Sequence, residues 1–568
     1  MRPALARARV FTATASLMMT GLAGHLAAQA PHAAHADDAL PAAAGPARAT
    51  EPRLGRVAFA SSTAPAARPA FLRGVLWLHS FEYDHAAEAF RQAQRQDPGD
   101  VMSYWGEALS YTHPLWGQQD APAARAALAR LAPSRAARLA RARTPRERAY
   151  LDAVETLYDS TVAPDGPPNG ARARRDTAYA AAMDRLRAAY PADDDAALFV
   201  ALAGMGVGVV TRDSAAYARA ADAAEAVFRR HPENPGASHY LIHAVDDPAH
   251  ARRGLAAARA YTDLAPDAGH AQHMTSHIFV ALGMWDDVVA ANERALATVP
   301  QTTPGVVRVT PHDVYWLAYG LLQQGRFAEA RRWVDVMRAQ AARDSSEVNR
   351  YHAAAMTLTY VAETRQWASP YAGADTGDGT GALGAYVRAE AALGRGERDA
   401  ASAALARLAA GRPAGREPKG RERVFTLALG GLAAQAAGRS DSAVTLFRAA
   451  AAADEALPFM YGPPATVEPP RELAGGLLLA LGRSAEARDE FARALERTPG
   501  RPAALLGLAR AQRAAGDAAG AARSYAVLAA TWRHADADVP GLAEARAAAR
   551  PAATHTAPAP RSVTAPRP

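Results

Sequence analysis

One pattern of small, aromatic and proline residues recurs along this chain and limits the folds that it can adopt. In FEYDHAAEAFRQAQRQDP, residues 81–98, Ala86 and Ala93 flank Phe90, Pro98 ends the stretch, and Gly74 lies on the preceding segment. Small residues let two helices pack closely, the aromatic ring fills the gap to the next pair, and proline ends the helix. The chain is therefore predicted to stack helix hairpins that bury their apolar faces only against their neighbours.

Further copies of this pattern lie at residues 283–300, around Gly325, around Gly438, at residues 481–499 and around Gly516. The pattern resembles the tetratricopeptide repeat (TPR) superfamily, over most of residues 71–550. This resemblance implies an all-α fold, a right-handed superhelical solenoid of TPR-type helix hairpins with a concave groove.

Two histidine-bearing segments carry a narrower resemblance. GHAQHMTSHIF, residues 269–279, and HYLIHAVDD, residues 239–247, resemble the GHxxHMPSHI and HYxIHxxD segments of a group of exported bacterial TPR proteins, with Thr275 where that group more often has proline. The resemblance marks these segments as the functional region and implies no activity.

The residue composition predicts where the repeats begin and end and what the segments around them are. Arg2, Arg7 and Arg9 precede an apolar run and Ala28-Gln29-Ala30, which is typical of a secretory signal peptide. The predicted order along the chain is signal peptide 1–30, disordered linker 31–67, N-terminal TPR-like solenoid 68–368, hinge loop 369–382, C-terminal repeats 383–549 and disordered tail 550–568. Ala, Pro and Thr dominate both disordered segments.

The mature protein is expected to be periplasmic or extracellular, and no later stretch is apolar and long enough to span a membrane. The chain contains no cysteine, which excludes a lipobox, disulfides and thiolate chemistry. A net charge of +7, with both signs interspersed, is too dilute for a nucleic-acid surface.

Histidines are concentrated in those two segments. His270, His273 and His277 are spaced i, i+3 and i+7, which puts them within about 60° of one another on a helix. His239 and His243 are spaced i, i+4 and share a face in the same way. The TPR resemblance places both sets at groove-facing positions. The full predicted groove lining is His79, Trp105, His113, His239, His243, Asp246, Asp247, His270, His273, His277, His312, Tyr315, Tyr319 and His352.

Three uses of this lining remain open. The first is a scaffold that holds a protein segment or a small ligand in a His/Tyr/Trp-lined groove, since these residue types are common at interfaces. The second is a zinc or copper site, or a metal-dependent enzyme, with ligands His239, His243, His270, His273 and His277 and with Asp246 or Asp247 as a further ligand or base. The third is a pH-sensitive surface, because clustered imidazoles charge near pH 6. HYLIH lacks the glutamate of H-E-x-x-H, and no catalytic motif assigns a reaction.

Overall fold

The computed structural model describes residues 51–162, 168–372, 381–411 and 417–549. The helices before residue 250 are α1 Arg68–His79, α2 Tyr83–Gln96, α3 Val101–Leu109, α4 Ala121–Leu131, α5 Arg135–Leu139, α6 Pro145–Leu157, α7 Pro168–Ala189, α8 Asp194–Gly208, α9 Ser214–Arg230 and α10 Pro235–Val245. Strands β1 Thr112–His113 and β2 Gln118–Gln119 form a short antiparallel ladder between α3 and α4.

The later helices are α11 Ala251–Leu264, α12 Gly269–Ala281, α13 Trp285–Ala297, α14 Pro311–Gln323, α15 Phe327–Arg343, α16 Glu347–Thr364, α17 Gly381–Gly394, α18 Ala400–Ala410, α19 Gly420–Ala436, α20 Ser440–Glu455, α21 Pro470–Ala480, α22 Ser484–Arg497, α23 Pro502–Ala514, α24 Ala518–Thr531 and α25 Leu542–Ala548. The predicted all-α fold class, built from helix hairpins, is confirmed. None of the helices in the described ranges is both long and apolar enough to cross a membrane.

The helices form two compact units. Unit 1 contains the chain up to Val245 together with Ala256–Thr275 and Arg294–Asp313, and unit 2 contains Asp246–Leu255, Ser276–Glu293 and the chain from Val314. The hinge predicted at 369–382 lies in the part of the chain assigned to unit 2, and its residues 373–380 are outside the described ranges. The predicted signal peptide and the predicted tail lie outside them as well.

Close packing around aromatic rings explains why the repeat pattern forms hairpins. In unit 1 a methyl group at Gly74 would lie 2.7 Å from Phe90 Cε1, and one at Gly106 on α3 would lie 2.3 Å from Phe90 Cζ. In unit 2 the ring of Phe491 lies against Gly475 and Gly507 in the same way. Each aromatic ring therefore fills the space between its own hairpin and the next, as the sequence pattern predicts.

Side-chain caps fix where many of the helices begin. Asp120, Ser134, Thr144, Asp193 and Asp213 each accept a hydrogen bond from a backbone N–H in the first turn of the following helix. These N–H groups have no partner within their own helix, so each cap stabilises a hairpin at its start.

The disorder expected for residues 31–67 does not hold for residues 51–67, where the structure corrects the prediction. The side chain of Phe59 is fully buried, and its ring centroid lies 5.5 Å from that of Phe71 and 5.4 Å from those of Trp105 and Tyr150. The Arg146 guanidinium also lies over the Phe59 ring. One anchored aromatic side chain thus orders a segment whose composition suggests disorder.

Candidate functional site

Three histidines meet in unit 1. His239 and His243 lie one turn apart on α10, and His270 lies at the start of α12. One ring nitrogen from each lies within 4.8 Å of the other two. Nitrogen ligands around a tetrahedral zinc ion are roughly 3.3 Å apart, given a Zn–N distance of about 2.0–2.1 Å. Small side-chain rotations would therefore bring all three nitrogens to one ion.

The His239 ring has the tautomer that metal binding through Nε2 requires. Its Nδ1 lies 2.6 Å from the backbone oxygen of His79. A carbonyl oxygen can only accept, so Nδ1 carries the proton and Nε2 carries the lone pair. This Nε2 atom is buried and has no hydrogen-bond partner among the described residues. A backbone acceptor for the non-ligating nitrogen is the usual outer-sphere arrangement of metal-bound histidine.

Burial also sets the protonation state of His239. Desolvation lowers the pKa of this imidazole to about 3, with a further lowering from the neighbouring His79, while the hydrogen bond to the His79 backbone opposes the shift. The ring is therefore neutral at physiological pH, which is the form that binds metals. His243 is buried as well, and His270 is partly exposed as a residue although its ring Nε2 is buried.

The other predicted groove residues near the start of unit 1 have separate structural partners. His79 Nδ1 lies 3.0 Å from the Tyr240 hydroxyl, and its Nε2 lies 3.6 Å from an Asp195 carboxylate oxygen. Trp105 packs in the core beside Phe59, as described above. The ring of His113 stacks on Tyr83 at 3.9 Å, and burial lowers the pKa of this imidazole.

His273 does not join the three-histidine cluster, although it lies one turn from His270. Its Nδ1 lies 3.3 Å from Asp313 Oδ1, and both side chains are buried in unit 1. The ring of His312 lies against it, with the two centroids 4.6 Å apart and the planes near perpendicular. Sequence reasoning missed Asp313, although it directly follows the predicted His312.

His277 and Asp246 form a buried pair in unit 2, with Nδ1 of the ring 3.0 Å from Oδ2 of the carboxylate. The imidazole stacks on Trp316, with centroids 4.5 Å apart, and contacts Tyr461 on its other side at 4.7 Å. Tyr461 lies in the segment between α20 and α21, and no sequence pattern signals its role. A histidine held by a carboxylate and aromatic rings has a fixed orientation.

This pair lines a solvent-open cleft in unit 2 with an empty volume of about 940 Å³. Trp285, Tyr319 and Phe459 form part of its apolar wall, and Arg421 lies in it as well. Burial lowers the pKa of the Arg421 guanidinium, while Tyr351 and Asp454 oppose this shift, and Asp454 also lines the cleft. Clefts that combine aromatic side chains with polar and charged groups commonly hold small molecules.

The remaining predicted residues have local partners in unit 2. Asp247 accepts from the backbone N–H of Ala249 and pairs with the imidazole of His250. The Tyr315 hydroxyl lies 3.0 Å from Thr359 Oγ1. The Tyr319 hydroxyl accepts from Arg501, and His352 Nδ1–H donates to the Val348 carbonyl oxygen of its own helix.

Most of the side chains predicted to line the groove are buried. Ten of its fourteen side chains are buried: His79, Trp105, His239, His243, Asp246, His273, His277, His312, Tyr319 and His352. Side chains that contact a protein segment along a groove must be exposed before the partner binds. Of these ten, Asp246, His277 and Tyr319 line the unit 2 cleft, and neighbouring carboxylates, carbonyl groups and rings cover the other seven.

No protein-family model matches the sequence. No curated protein matches it either. Among solved structures, a chain in the crystal structure of the APC/C hetero-tetramer Cut9-Hcn1 is 14% identical, covers 86% of this chain and 94% of its own length, and has a TM-score of 0.35. A chain of the human IFIT1 dimer with PPP-AAAA is 13% identical, with coverages of 80% and 89% and a TM-score of 0.31.

A monomeric IFIT1 mutant with Gppp-AAAA is 14% identical, with coverages of 83% and 100% and a TM-score of 0.36. These similarities are too low to carry an argument about ligands. The packing of helix hairpins described above is what defines the fold of this chain.

Proposed function

We propose that this chain is an exported TPR-type protein that binds a transition-metal ion, Zn(II) or Cu(II), through His239, His243 and His270. The observation that carries the proposal is the meeting of three imidazoles in unit 1, with a ring nitrogen of each within 4.8 Å of the other two. The fixed tautomer and neutral state of His239 support it, because neutral imidazole with an oriented lone pair is the ligating form.

The donor set favours zinc or copper over other ions. Imidazole suits zinc, copper, nickel and iron, whereas calcium and magnesium prefer oxygen ligands. Three histidines leave a fourth tetrahedral position for water or an exchangeable ligand, which is typical of reactive rather than closed structural zinc sites. A bound ion would supply Lewis acidity to whatever molecule occupies that fourth position.

Metal content of the full chain, purified without an affinity histidine tag and without chelator, tests this function. We expect about one zinc or copper ion per chain by elemental analysis, and a raised unfolding temperature on adding Zn(II) because ligand binds only the folded state. His239→Asn keeps a side-chain N–H for the His79 carbonyl but removes the ligand nitrogen, so the ion should be lost.

His352→Asn is the matched control, since His352 Nδ1–H donates to a backbone carbonyl in the same way but lies in unit 2. This variant should keep its metal. Circular dichroism checks that both variants remain helical. Absence of metal from the unsubstituted chain after titration with Zn(II) and with Cu(II), or equal metal in both variants, would contradict the proposal.

Export is part of the same proposal. The arginines, apolar run and Ala28-Gln29-Ala30 of the first thirty residues support it, and a cysteine-free chain suits an oxidising compartment. Mass spectrometry of the protein from a periplasmic or culture-medium fraction should find a new N-terminus near residue 31. An intact Met1 in the cytoplasmic fraction alone would contradict export.

A second candidate function is the binding of a small molecule in the unit 2 cleft. The observation that favours it is the desolvated Arg421 guanidinium in an aromatic-lined space that also presents the His277–Asp246 pair. A ligand with a ring and an anionic group fits this chemistry, since the ring would stack on aromatic side chains and the anion would pair with Arg421.

Benzoate and its uncharged analogue benzyl alcohol are suitable probes for saturation-transfer NMR. Benzoate should bind more tightly than benzyl alcohol to the full chain, and Arg421→Gln should remove that preference. Arg483→Gln, which replaces a partly exposed arginine of the same unit outside the cleft lining, is the control. Equal signals from both probes, or none from either at millimolar concentration, would argue against this function.

A further inference from the structure

We propose that the turn between α1 and α2, residues 79–82, preorganises the three-histidine cluster, and that Phe81 is a positioning residue for the metal. This inference rests on the proposed function, because it concerns the same three imidazoles. It assigns a role to a phenylalanine that no pattern of polar residues would identify. Three ring contacts, three polar contacts and one unusual backbone conformation support it.

The backbone at Phe81 is in the left-handed region, with φ of 56°. Other hairpins place glycine at the same point, two residues before their second helix. These glycines are Gly283, Gly325, Gly438, Gly482 and Gly516, with φ between 69° and 82°. A bulky residue is disfavoured in this region and glycine is not. The first hairpin therefore keeps a phenylalanine where its own turn geometry favours glycine.

The Phe81 ring contacts all three proposed ligands. Its centroid lies 4.2 Å from that of His239 and 5.6 Å from those of His243 and His270, and its plane is within 25° of the planes of the latter two. The phenyl ring is buried, so it covers the imidazoles on the side of the turn. It limits their rotation and keeps water from that side. An aromatic face also favours an imidazole that gains positive charge on binding a cation.

Polar groups of the same turn hold the two helices that carry the ligands. The His79 carbonyl oxygen accepts from His239 Nδ1–H on α10, as described above. A Glu82 carboxylate oxygen accepts from the backbone N–H of His270 at the start of α12, at 3.0 Å. The Ser80 hydroxyl oxygen lies 3.3 Å from the Tyr261 hydroxyl on α11. Helices α10 and α12, which carry the ligands, are thus each hydrogen-bonded to a residue within two positions of Phe81.

Strained backbone persists where surrounding contacts determine it, and it is concentrated at binding and catalytic sites. Here the left-handed conformation at Phe81 directs the ring onto the imidazoles while the neighbouring residues His79 and Glu82 bond to α10 and α12. Glycine at this position would relax the backbone but would remove the ring. Phe81→Gly should therefore make the turn more stable and the metal site less ordered.

The test compares the full chain with Phe81→Gly and Phe81→Leu. Zn(II) affinity is measured by competition with a chromophoric chelator, and the coordination geometry is followed by the visible spectrum of bound Co(II). Phe81→Gly should keep the stoichiometry but bind Zn(II) about 10- to 100-fold more weakly, the usual effect of losing an outer-sphere partner. Its Co(II) spectrum should change, and Phe81→Leu should be intermediate.

Arg212→Gly is the matched control, because Arg212 is another non-glycine residue of unit 1 with a positive φ, 47°. It should relieve backbone strain without changing Zn(II) affinity or the Co(II) spectrum. Wild-type affinity and spectrum in folded Phe81→Gly would overturn the inference. So would an equal loss of affinity in Arg212→Gly, which would indicate a general effect of turn flexibility.

A failure of the proposed metal binding can be told apart from a failure of the Phe81 inference. If the unsubstituted chain binds no metal, the imidazole ¹⁵N shifts of the metal-free proteins still test the turn. His239 should be a single Nδ1–H tautomer in the unsubstituted chain and in Arg212→Gly, and a mixture in Phe81→Gly. Identical ¹⁵N shifts in all three proteins would overturn the positioning role of Phe81 even without metal.

Discussion

Alanine at Gly475 should destabilise the protein, whereas alanine at the adjacent Gly476 should stabilise it. Both glycines lie within α21, so both substitutions gain about 1 kcal/mol from the higher helix propensity of alanine. They differ in what the new methyl group would meet. At Gly475 it would lie 2.9 Å from Phe491 Cε2, and at Gly476 it would meet no atom within 4 Å.

The magnitude follows from these distances. Carbon atoms in favourable contact are about 3.5–4.0 Å apart, so the Phe491 ring would have to move away from Gly475. Gly507 blocks that movement, because the ring already lies so close to it that a methyl group there would be only 2.3 Å away. Overpacking of this kind costs about 1–3 kcal/mol. The helix-propensity gain is common to both variants and cancels, so their unfolding free energies should differ by about 1–3 kcal/mol.

Urea unfolding followed by circular dichroism at 222 nm measures the difference. The expected order of midpoints is Gly476→Ala, unsubstituted chain, Gly475→Ala, from highest to lowest. The neighbouring pair Gly431 and Gly430 in α19 repeats the comparison, with distances of 2.4 Å to Phe447 and 3.6 Å to Leu446. Equal midpoints for Gly475→Ala and Gly476→Ala would refute the packing of Phe491 described above.

Two further predictions concern charge. Arg501 is buried with Glu363 and Glu472, so Arg501→Met should cost about 3–5 kcal/mol by leaving two buried carboxylates without a cation. Burial raises the pKa of Glu472 to about 7, so denaturant unfolding should show a smaller loss at pH 5, where Glu472 is protonated, than at pH 8. Burial tends to raise the pKa of Glu544, but hydrogen bonds from Arg510 and other donors prevail and lower it to about 2. The ionised Glu544 therefore stabilises the protein above about pH 4.5, and this effect is lost as pH falls through 2. At pH 7 the unfolding free energy of Glu544→Gln should be lower than that of the unsubstituted chain by at most about 1 kcal/mol, seen as a lower thermal midpoint, and the two midpoints should converge as pH falls below about 2. A pH-independent difference would contradict this.

The sequence alone determined the helix hairpins and part of the proposed metal site. Recurring glycine, alanine and aromatic positions predict which ring packs between which helices, because helical periodicity fixes the face on which each side chain lies. Phe90 against Gly74 follows directly from this rule. The same rule predicts that His239 and His243 lie side by side, since four residues make about one helical turn.

Only the tertiary structure decided which imidazoles meet, which are covered and how the turn near them is bent. His270, His273 and His277 share a helix, yet His270 joins His239 and His243 while His273 pairs with Asp313. The spacing of residues along one helix determines the direction in which each side chain lies. It does not determine which side chains from other parts of the chain pack against it. Burial and the left-handed backbone at Phe81 likewise result from contacts between residues far apart in sequence, which no local pattern records.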